Sequence, residues 1–224
     1  MIVAIDGPAA SGKSTSAKLL AKELGFLYLD TGAMYRCVSW AVIKDEIDLS
    51  NDRQLLNFLK KFKIDLKNTG NRSSFYVNNK DVTDLIRKSN ISQRVSEVSA
   101  IPGIRDFMVD IQRNYAKSEN CVMEGRDIGT VVFPKAEVKF FIIASDEVRA
   151  KRRKLELESL GEKKSLSELI DEIRRRDDFD SNRGHSPLKK AFDAIEIDTT
   201  DLSIDEQVKL MLGIVKQKII GNKK

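Results

Sequence analysis

The sequence predicts an α/β fold, a parallel sheet with helices on both sides, and three observations carry that expectation. Short apolar runs alternate with helix-length stretches along most of the chain. The runs are continuous rather than alternating in polarity, as strands covered on both faces require. The first of them passes directly into a glycine-rich loop that opens a helix.

The elements follow in chain order. Residues 2–5 form the first apolar run, and similar runs recur at 26–29, 121–123, 138–144 and 194–197. Each is expected as a strand. Helix starts can be named between them: Ser145 precedes Asp146 and Glu147, which put negative charge at the positive end of a helix dipole. Ser165 with Glu168 and Ser203 with Glu206 have capping-box spacing. In the last helix Ile204, Val208, Met211, Val215 and Ile219 recur on one face, and its Lys-rich end is read as a solvated tail.

Two stretches break the alternation. From about residue 49 to 115 there is a helical segment (Leu55, Leu56, Leu59, Phe62), then two strand-like pieces at 63–67 and 74–78. Asn68-Thr69-Gly70-Asn71 between them is a hairpin turn signal. Two more helical patterns follow, the second beginning near Pro102. The second break, 149–183, is dense in arginine and acids and shows no strand pattern. The predicted organisation is one domain with core segments 1–36, 117–148 and 184–224, an insertion at 37–116 and a helical excursion at 149–183.

Composition excludes some classes and leaves others. With 224 residues, 41% hydrophobic and 33% charged, the chain can build a packed core, which argues against disordered, collagen-like and disulfide-dense secreted proteins. A net charge of +5 fits a Lys-rich surface as well as an anionic ligand such as nucleic acid, lipid or nucleotide. Cys37 and Cys121 lie far apart without metal-ligand spacing and read as buried free thiols of a reducing compartment. No apolar run reaches the roughly 18 residues of a spanning helix. The first residues read as a strand rather than a signal peptide, so a cytoplasmic protein is expected.

The strongest chemical signal is Gly7-Pro8-Ala9-Ala10-Ser11-Gly12-Lys13-Ser14, the phosphate-binding pattern G-x-x-x-x-G-K-[ST] in its strand–loop–helix context. Its glycines let the backbone wrap phosphate oxygens and aim amide N–H groups and a helix N-terminus at them. Lys13 can reach the β- and γ-phosphates, and the Ser14 hydroxyl can ligate Mg²⁺. A chance glycine-rich turn is the competing reading, and the satisfied context weighs against it.

Four further constellations are weaker alone. After the second strand, Thr31 can cap a helix that carries Tyr35 and Arg36 near the carboxyl edge of the sheet, where an anion can be met. A packed tyrosine and a surface cation would look the same. The third strand runs into Glu124-Gly125-Arg126-Asp127, where Glu124 either orients metal-bound water or pairs with an arginine. Arg176, Asp180 and Arg183 are spaced i, i+4 and i+7 and share a helix face, functional or merely solvated. The block from Arg149 to Lys154 is either a nucleic-acid contact or a mobile lid whose arginines close over phosphates.

Taken together, the P-loop, the stretch from Leu29 to Arg36, the run Gly125-Arg126-Asp127-Ile128-Gly129-Thr130-Val131-Val132-Phe133-Pro134 and the run from Arg176 to Arg183 resemble the bacterial cytidylate kinases. The resemblance covers nearly the whole chain in order. It implies a three-layer P-loop fold of the nucleoside monophosphate kinases, with 37–116 as the monophosphate-binding insertion and 149–183 as the lid. It implies transfer of the γ-phosphoryl of ATP to CMP or dCMP with Mg²⁺.

By position, the resemblance assigns ATP to Gly7, Pro8, Ala9, Ala10, Ser11, Gly12, Lys13, Ser14 and Thr15, with Arg149, Arg152 and Arg153 on the lid side of the triphosphate. Tyr35, Arg36 and Arg126 would hold the acceptor phosphate. Thr31, Arg105, Asp127 and Arg183 would surround the cytosine, and Ser96, Arg176 and Asp180 would lie near the sugar. The catalytic set would be Lys13, Arg126, Arg149, Arg153 and Arg176, with Ser14 and, through water, Glu124 at the metal. Thr31 and Glu124 stand where the family form has serine and aspartate, and both keep the functional group. His185 is read as incidental.

An arginine-rich site without a lone essential base suits phosphoryl transfer, which asks for positioning and charge neutralisation. Another small-molecule P-loop kinase, acting on UMP or a non-nucleotide acceptor, is the alternative within the class. Outside it stands an ATP-dependent nucleic-acid-binding protein, disfavoured because aromatics are only 7% and no stacking platform is visible. The expected partners are therefore ATP and CMP or dCMP, with neither membrane nor nucleic acid, for a monomer.

Overall fold

The computed structural model describes residues 1–69, 72–117, 119–159 and 161–221. In chain order its elements are β1 (Ile2–Asp6), α1 (Lys13–Leu24), β2 (Leu27–Asp30), α2 (Thr31–Lys44), α3 (Asp52–Lys61), β3 (Ile64–Thr69), β4 (Arg72–Val77), β5 (Lys80–Asp81), α4 (Ser89–Ala100), α5 (Pro102–Tyr115), β6 (Cys121–Gly125), β7 (Val138–Ile143), α6 (Asp146–Ser159), α7 (Leu166–Asn182), β8 (Ile195–Asp198) and α8 (Ile204–Gly221). The chain divides into two compact units, Met1–Asp30 with Tyr115–Lys224, and Thr31–Asn114. The division thus falls at Thr31 and Tyr115 rather than at the expected 37 and 117. The reason is that α2 is one continuous helix and goes whole with the second unit.

The first unit holds a five-stranded sheet in the order β2-β6-β1-β7-β8, with every pairing parallel. β6 is buried along its whole length and β1 from its second residue on, which is why their sequences are continuous apolar runs. β8 departs from that expectation. It lies at the sheet edge and only Ile197 of its four residues is buried. The core on one face joins Val3, Ile5, Val122, Val138, Phe140, Ile142 and Ile197 to Ala17, Leu20 and Ala21 of α1 and Met211 and Val215 of α8. Each Val, Leu, Ile, Phe or Met among them contributes about 1.5–3 kcal/mol by leaving water.

The strand ends decide where chemistry can sit. Register places Asp6 opposite Gly125 and Asp30 opposite Glu124, so the carboxyl ends of β1, β2 and β6 finish together. α6 and α7 pack on each other through Ala150, Leu157, Leu169 and Ile173. Ser165 and Glu168 form the expected capping box of α7. At α8, Ser203 Oγ accepts from Glu206 N at 3.3 Å while the Glu206 carboxylate accepts from Ser203 N at 2.9 Å. Such a cap is worth about 1 kcal/mol. Ser145 accepts from Val148 N at 3.4 Å, at the start of α6.

The second unit packs α2 on α4 and carries the antiparallel sheet β3-β4-β5. β4 turns Phe75 and Val77 inward, one every second residue, opposite Leu66 and Ile64 of β3. The hairpin is therefore present where expected, although Gly70 and Asn71 of its turn lie outside the described residues. β5 was not legible because two residues carry no periodicity. α3 begins at Asn51, whose side chain accepts from Gln54 N, and the rings of Phe58, Phe62 and Phe107 pack in series. Both cysteines are buried and free, and burial pushes the Cys121 thiol up to about 12. Among the described residues no helix is long and apolar enough to cross a membrane.

Candidate active site

The glycine-rich loop leaves β1 at Asp6 and enters α1 at Lys13. Gly7 has φ 151°, and a Cβ there would stand 2.1 Å from the Ile142 carbonyl oxygen, so no other residue fits. Gly12 is left-handed at φ 96° and forms the N-cap of α1. The loop is gripped from outside by side chains of its own unit. Arg152 Nη1 donates to Ser11 O at 3.1 Å, and Thr199 Oγ1 donates to the same oxygen at 3.0 Å. Ala9 N donates to Asp177 Oδ1 at 3.0 Å, and Ala9 O accepts from Arg149 Nη1 at 3.1 Å. Arg149 also pairs with Asp177 and Asp146, which makes it a buried clamp between the loop, α6 and α7.

Lys13 is buried and donates to Pro8 O at 2.6 Å. Burial, with the nearby positive charges of Arg126 and Arg176, lowers its pKa to about 7, against the opposing pull of Glu124 and Asp177. A buried cation flanked by two further cations fits an anionic ligand beside it. Glu124 is also buried and accepts from Tyr28 Oη at 2.7 Å and from the Ser14 hydroxyl. Burial and the adjacent Asp30 carboxylate raise its pKa. Two close carboxylates and a hydroxyl are hard oxygen donors, and a divalent cation would relieve their repulsion. They fit Mg²⁺ as a site completed by phosphate and water rather than as an all-protein cage.

The loop after β6 gathers the second group. Arg126 Nε donates to Asp180 Oδ2 at 2.9 Å. Arg183 lies 3.8 Å from Asp127 and 3.9 Å from Asp180, and its Nε donates to Ser186 O at 2.6 Å. Arg126, Asp127, Asp180 and Arg183 thus form one network, but the expected helix face of Arg176, Asp180 and Arg183 is not continuous: α7 ends at Asn182, and Arg183, its C-cap, is extended at φ −62° and ψ 139°. Ile128–Val132 then makes a single π turn, in which Val132 N reaches back to Asp127 O. In the second unit, Thr31, Tyr35 and Arg36 lie on α2, Ser96 on α4 and Arg105 on α5. Arg105 is 1% exposed, sits over the Tyr35 ring at 5.5 Å and donates to Ser99 O at 3.0 Å.

Not every expected residue joins these groups. Arg153 donates to Glu156 at 2.7 Å along its own helix. Thr15 is exposed on α1, as is Ser14 beside it. Three residues that sequence reasoning missed are structural partners of the site: Asp6, Asp177 and Thr199. Asp6 precedes the P-loop and Asp177 sits inside the Arg-rich run, so adjacency was the available signal. Thr199 offered none, because only the fold brings the end of β8 to the loop.

The comparisons agree with this geometry. A family model described as cytidylate kinase matches residues 3–217. A curated cytidylate kinase of Halalkalibacterium halodurans is 48% identical over 219 residues, covering 98% of this chain and 99% of that one. One from a Geobacillus species is 49% identical over 217 residues, covering 97% of each. Among solved structures, an uncharacterized protein from Eubacterium ventriosum aligns over 96% of this chain and 98% of its own, with a TM-score of 0.51 at 14% identity, which speaks to the fold alone. A P-loop on a parallel sheet, an arginine network at its carboxyl edge and a match along almost the entire chain have one joint explanation: the chain belongs to the cytidylate kinase family.

Proposed function

We propose that the protein phosphorylates CMP and dCMP by direct transfer of the γ-phosphoryl group of ATP. The observation that carries this reading is the pairing of a P-loop whose lysine is buried beside Arg126 and Arg176 with a network of Arg126, Asp127, Asp180 and Arg183 at the same carboxyl edge of the sheet. The P-loop from Gly7 to Thr15, with Arg152, binds the triphosphate. Lys13 offsets charge developing between the β- and γ-phosphates. Bound through Ser14 and, by way of water, Glu124, Mg²⁺ would supply neutralisation of phosphate charge.

On the acceptor side, Arg126 holds the CMP phosphate and Asp127 reads the cytosine amine, flanked by Arg183. Arg176 and Asp180 serve the sugar. From the second unit, Tyr35 and Arg36 bind acceptor phosphate, Thr31 and Arg105 the base, and Ser96 the sugar. Segment 37–116 acts as the monophosphate-binding insertion and 149–183 as a lid that excludes water, so that hydrolysis does not compete. Arg149 and Arg176 join Lys13 and Arg126 in catalysis. Arg153 is retained only as a lid contact, made if it leaves Glu156. Each residue invoked comes from one chain, so a monomer suffices, and the ATP and CMP it uses are cytoplasmic metabolites. The test is a panel of nucleoside monophosphates with ATP and Mg²⁺, following ADP release. CMP and dCMP should stimulate it, UMP weakly; stimulation by UMP or a non-nucleotide acceptor alone would replace this reading.

A further inference from the structure

Asp6 is 4% exposed at the last position of β1, one residue before Gly7. Its Oδ1 accepts from Ile128 N at 2.8 Å and its Oδ2 from Gly129 N at 2.7 Å. These are the two amides that follow Arg126-Asp127. On the other side of that peptide, the Asp127 carbonyl accepts from Val131 N at 2.8 Å and Val132 N at 3.2 Å. Asp127 itself has φ −145° and ψ 24°, outside the regular regions, so its orientation depends on those anchors. The anchoring is closed from behind. A Cβ on Gly129 would stand 3.4 Å from Asp6 Oδ2 and 3.1 Å from Lys139 Cδ, and Lys139 is fixed by Pro134 O at 2.7 Å and Asp193 at 2.8 Å.

We infer that Asp6 is a positioning residue for the acceptor half of the site, holding Asp127 and Arg126 in place through the amides of Ile128 and Gly129. The inference rests on the reading of Asp127 and Arg126 as CMP contacts. Two amide donors need two acceptor oxygens, which a carboxylate has and an amide side chain lacks. Asparagine would keep one bond and set an N–H against the other donor. The carboxylate is an expensive choice, since burial raises its pKa to about 6 even with both amides opposing. An ordinary packing position would be filled more cheaply by an apolar side chain. Because the same residue leads into Gly7, the strand end carries the P-loop on one side and the acceptor loop on the other.

The experiment is steady-state kinetics of wild type, Asp6→Asn, Asp127→Asn and the double variant with CMP, UMP and ATP. Backbone amide exchange at Ile128 and Gly129 is measured alongside. Asp6→Asn should raise the KM for CMP about tenfold, the worth of one buried hydrogen bond. The KM for ATP should stay within about twofold, and the CMP-over-UMP preference should fall. In the Asp127→Asn background the same substitution should not lower that preference further. Exchange at the two amides should quicken. Equal loss for CMP and ATP, with an unchanged CMP-to-UMP ratio, would overturn the inference and leave Asp6 a purely structural residue. If Asp6→Asn fails to fold, Asp6→Glu, which keeps both acceptor oxygens but displaces them by one methylene from the amides of Ile128 and Gly129, should show the same pattern; wild-type CMP kinetics there would also overturn it. A wild-type protein that ignores CMP would instead refute the functional reading, while the exchange result still reports whether Asp6 holds the loop.

Discussion

Lys13 should take up a proton when ATP binds. It is buried within the P-loop, and burial together with Arg126 and Arg176 lowers its pKa from 10.5 to about 7. A triphosphate placed against its ammonium supplies the missing negative charge and should return the pKa toward its ordinary value. At pH 8, a group titrating near 7 is about nine-tenths neutral, so binding should take up about 0.9 proton. ATP itself is then fully ionised and adds little. The sign follows from linkage: affinity is greatest below pH 7 and weakens as pH rises above it, by up to about tenfold per unit. Titration calorimetry at pH 8 in buffers of different ionisation enthalpy reads the proton number from the slope of the observed heat. Lys13→Met should abolish the slope and lower kcat on the order of a hundredfold or more. A wild-type slope of zero would mean that Lys13 is already charged in the free protein, and the electrostatic account of the P-loop would fail.

Three other outcomes follow from the geometry. Gly7→Ala should destabilise the fold by several kcal/mol, because its methyl group would overlap the Ile142 carbonyl at 2.1 Å; a Tm within a degree or two of wild type would contradict the strand packing. Asp127→Asn should reduce the preference for CMP over UMP, since an amide can donate to the uracil carbonyl; equal damage to both substrates would remove Asp127 from base reading. Arg149→Ala should cost about 1–3 kcal/mol, because Asp146 keeps Arg174 and Asp177 keeps the Ala9 amide when their buried partner is lost, whereas Arg153→Ala, which loses only the pair with Glu156, should stay within about 0.5 kcal/mol in chemical denaturation.

What was legible in the sequence was local. The P-loop, the buried strands β1, β6 and β7 and the capping boxes at Ser165 and Ser203 are written in contiguous residues, each with its own physical signature. Asp180 and Arg183 do share a cluster, though Arg183 joins it as the extended C-cap of α7 rather than from a helix face, and Arg126 and Asp127 come to it from a distant loop. What sequence could not show is what depends on tertiary approach. Thr199 meets Ser11 across 188 positions, and Asp6 meets Ile128 across 122. Edge strand β8 carries the same apolar signature as the covered strands, because apolar runs do not declare their place in a sheet. Arg149, Arg152 and Arg153 are spaced i, i+3 and i+4 and so share a helix face, yet the first two hydrogen-bond the P-loop while Arg153 pairs with Glu156 along α6, a choice of partner that spacing does not declare.

The most direct measurement is the destination of the transferred group. Incubating the protein with ATP labelled in its γ-phosphate, Mg²⁺ and CMP should place the label in the β-phosphate of CDP, with little free phosphate, and transfer should require CMP or dCMP. Label that appears as inorganic phosphate at a rate indifferent to CMP would contradict the account, because the enzyme would then be a nucleotidase and the arginine network at the sheet edge would serve some other ligand.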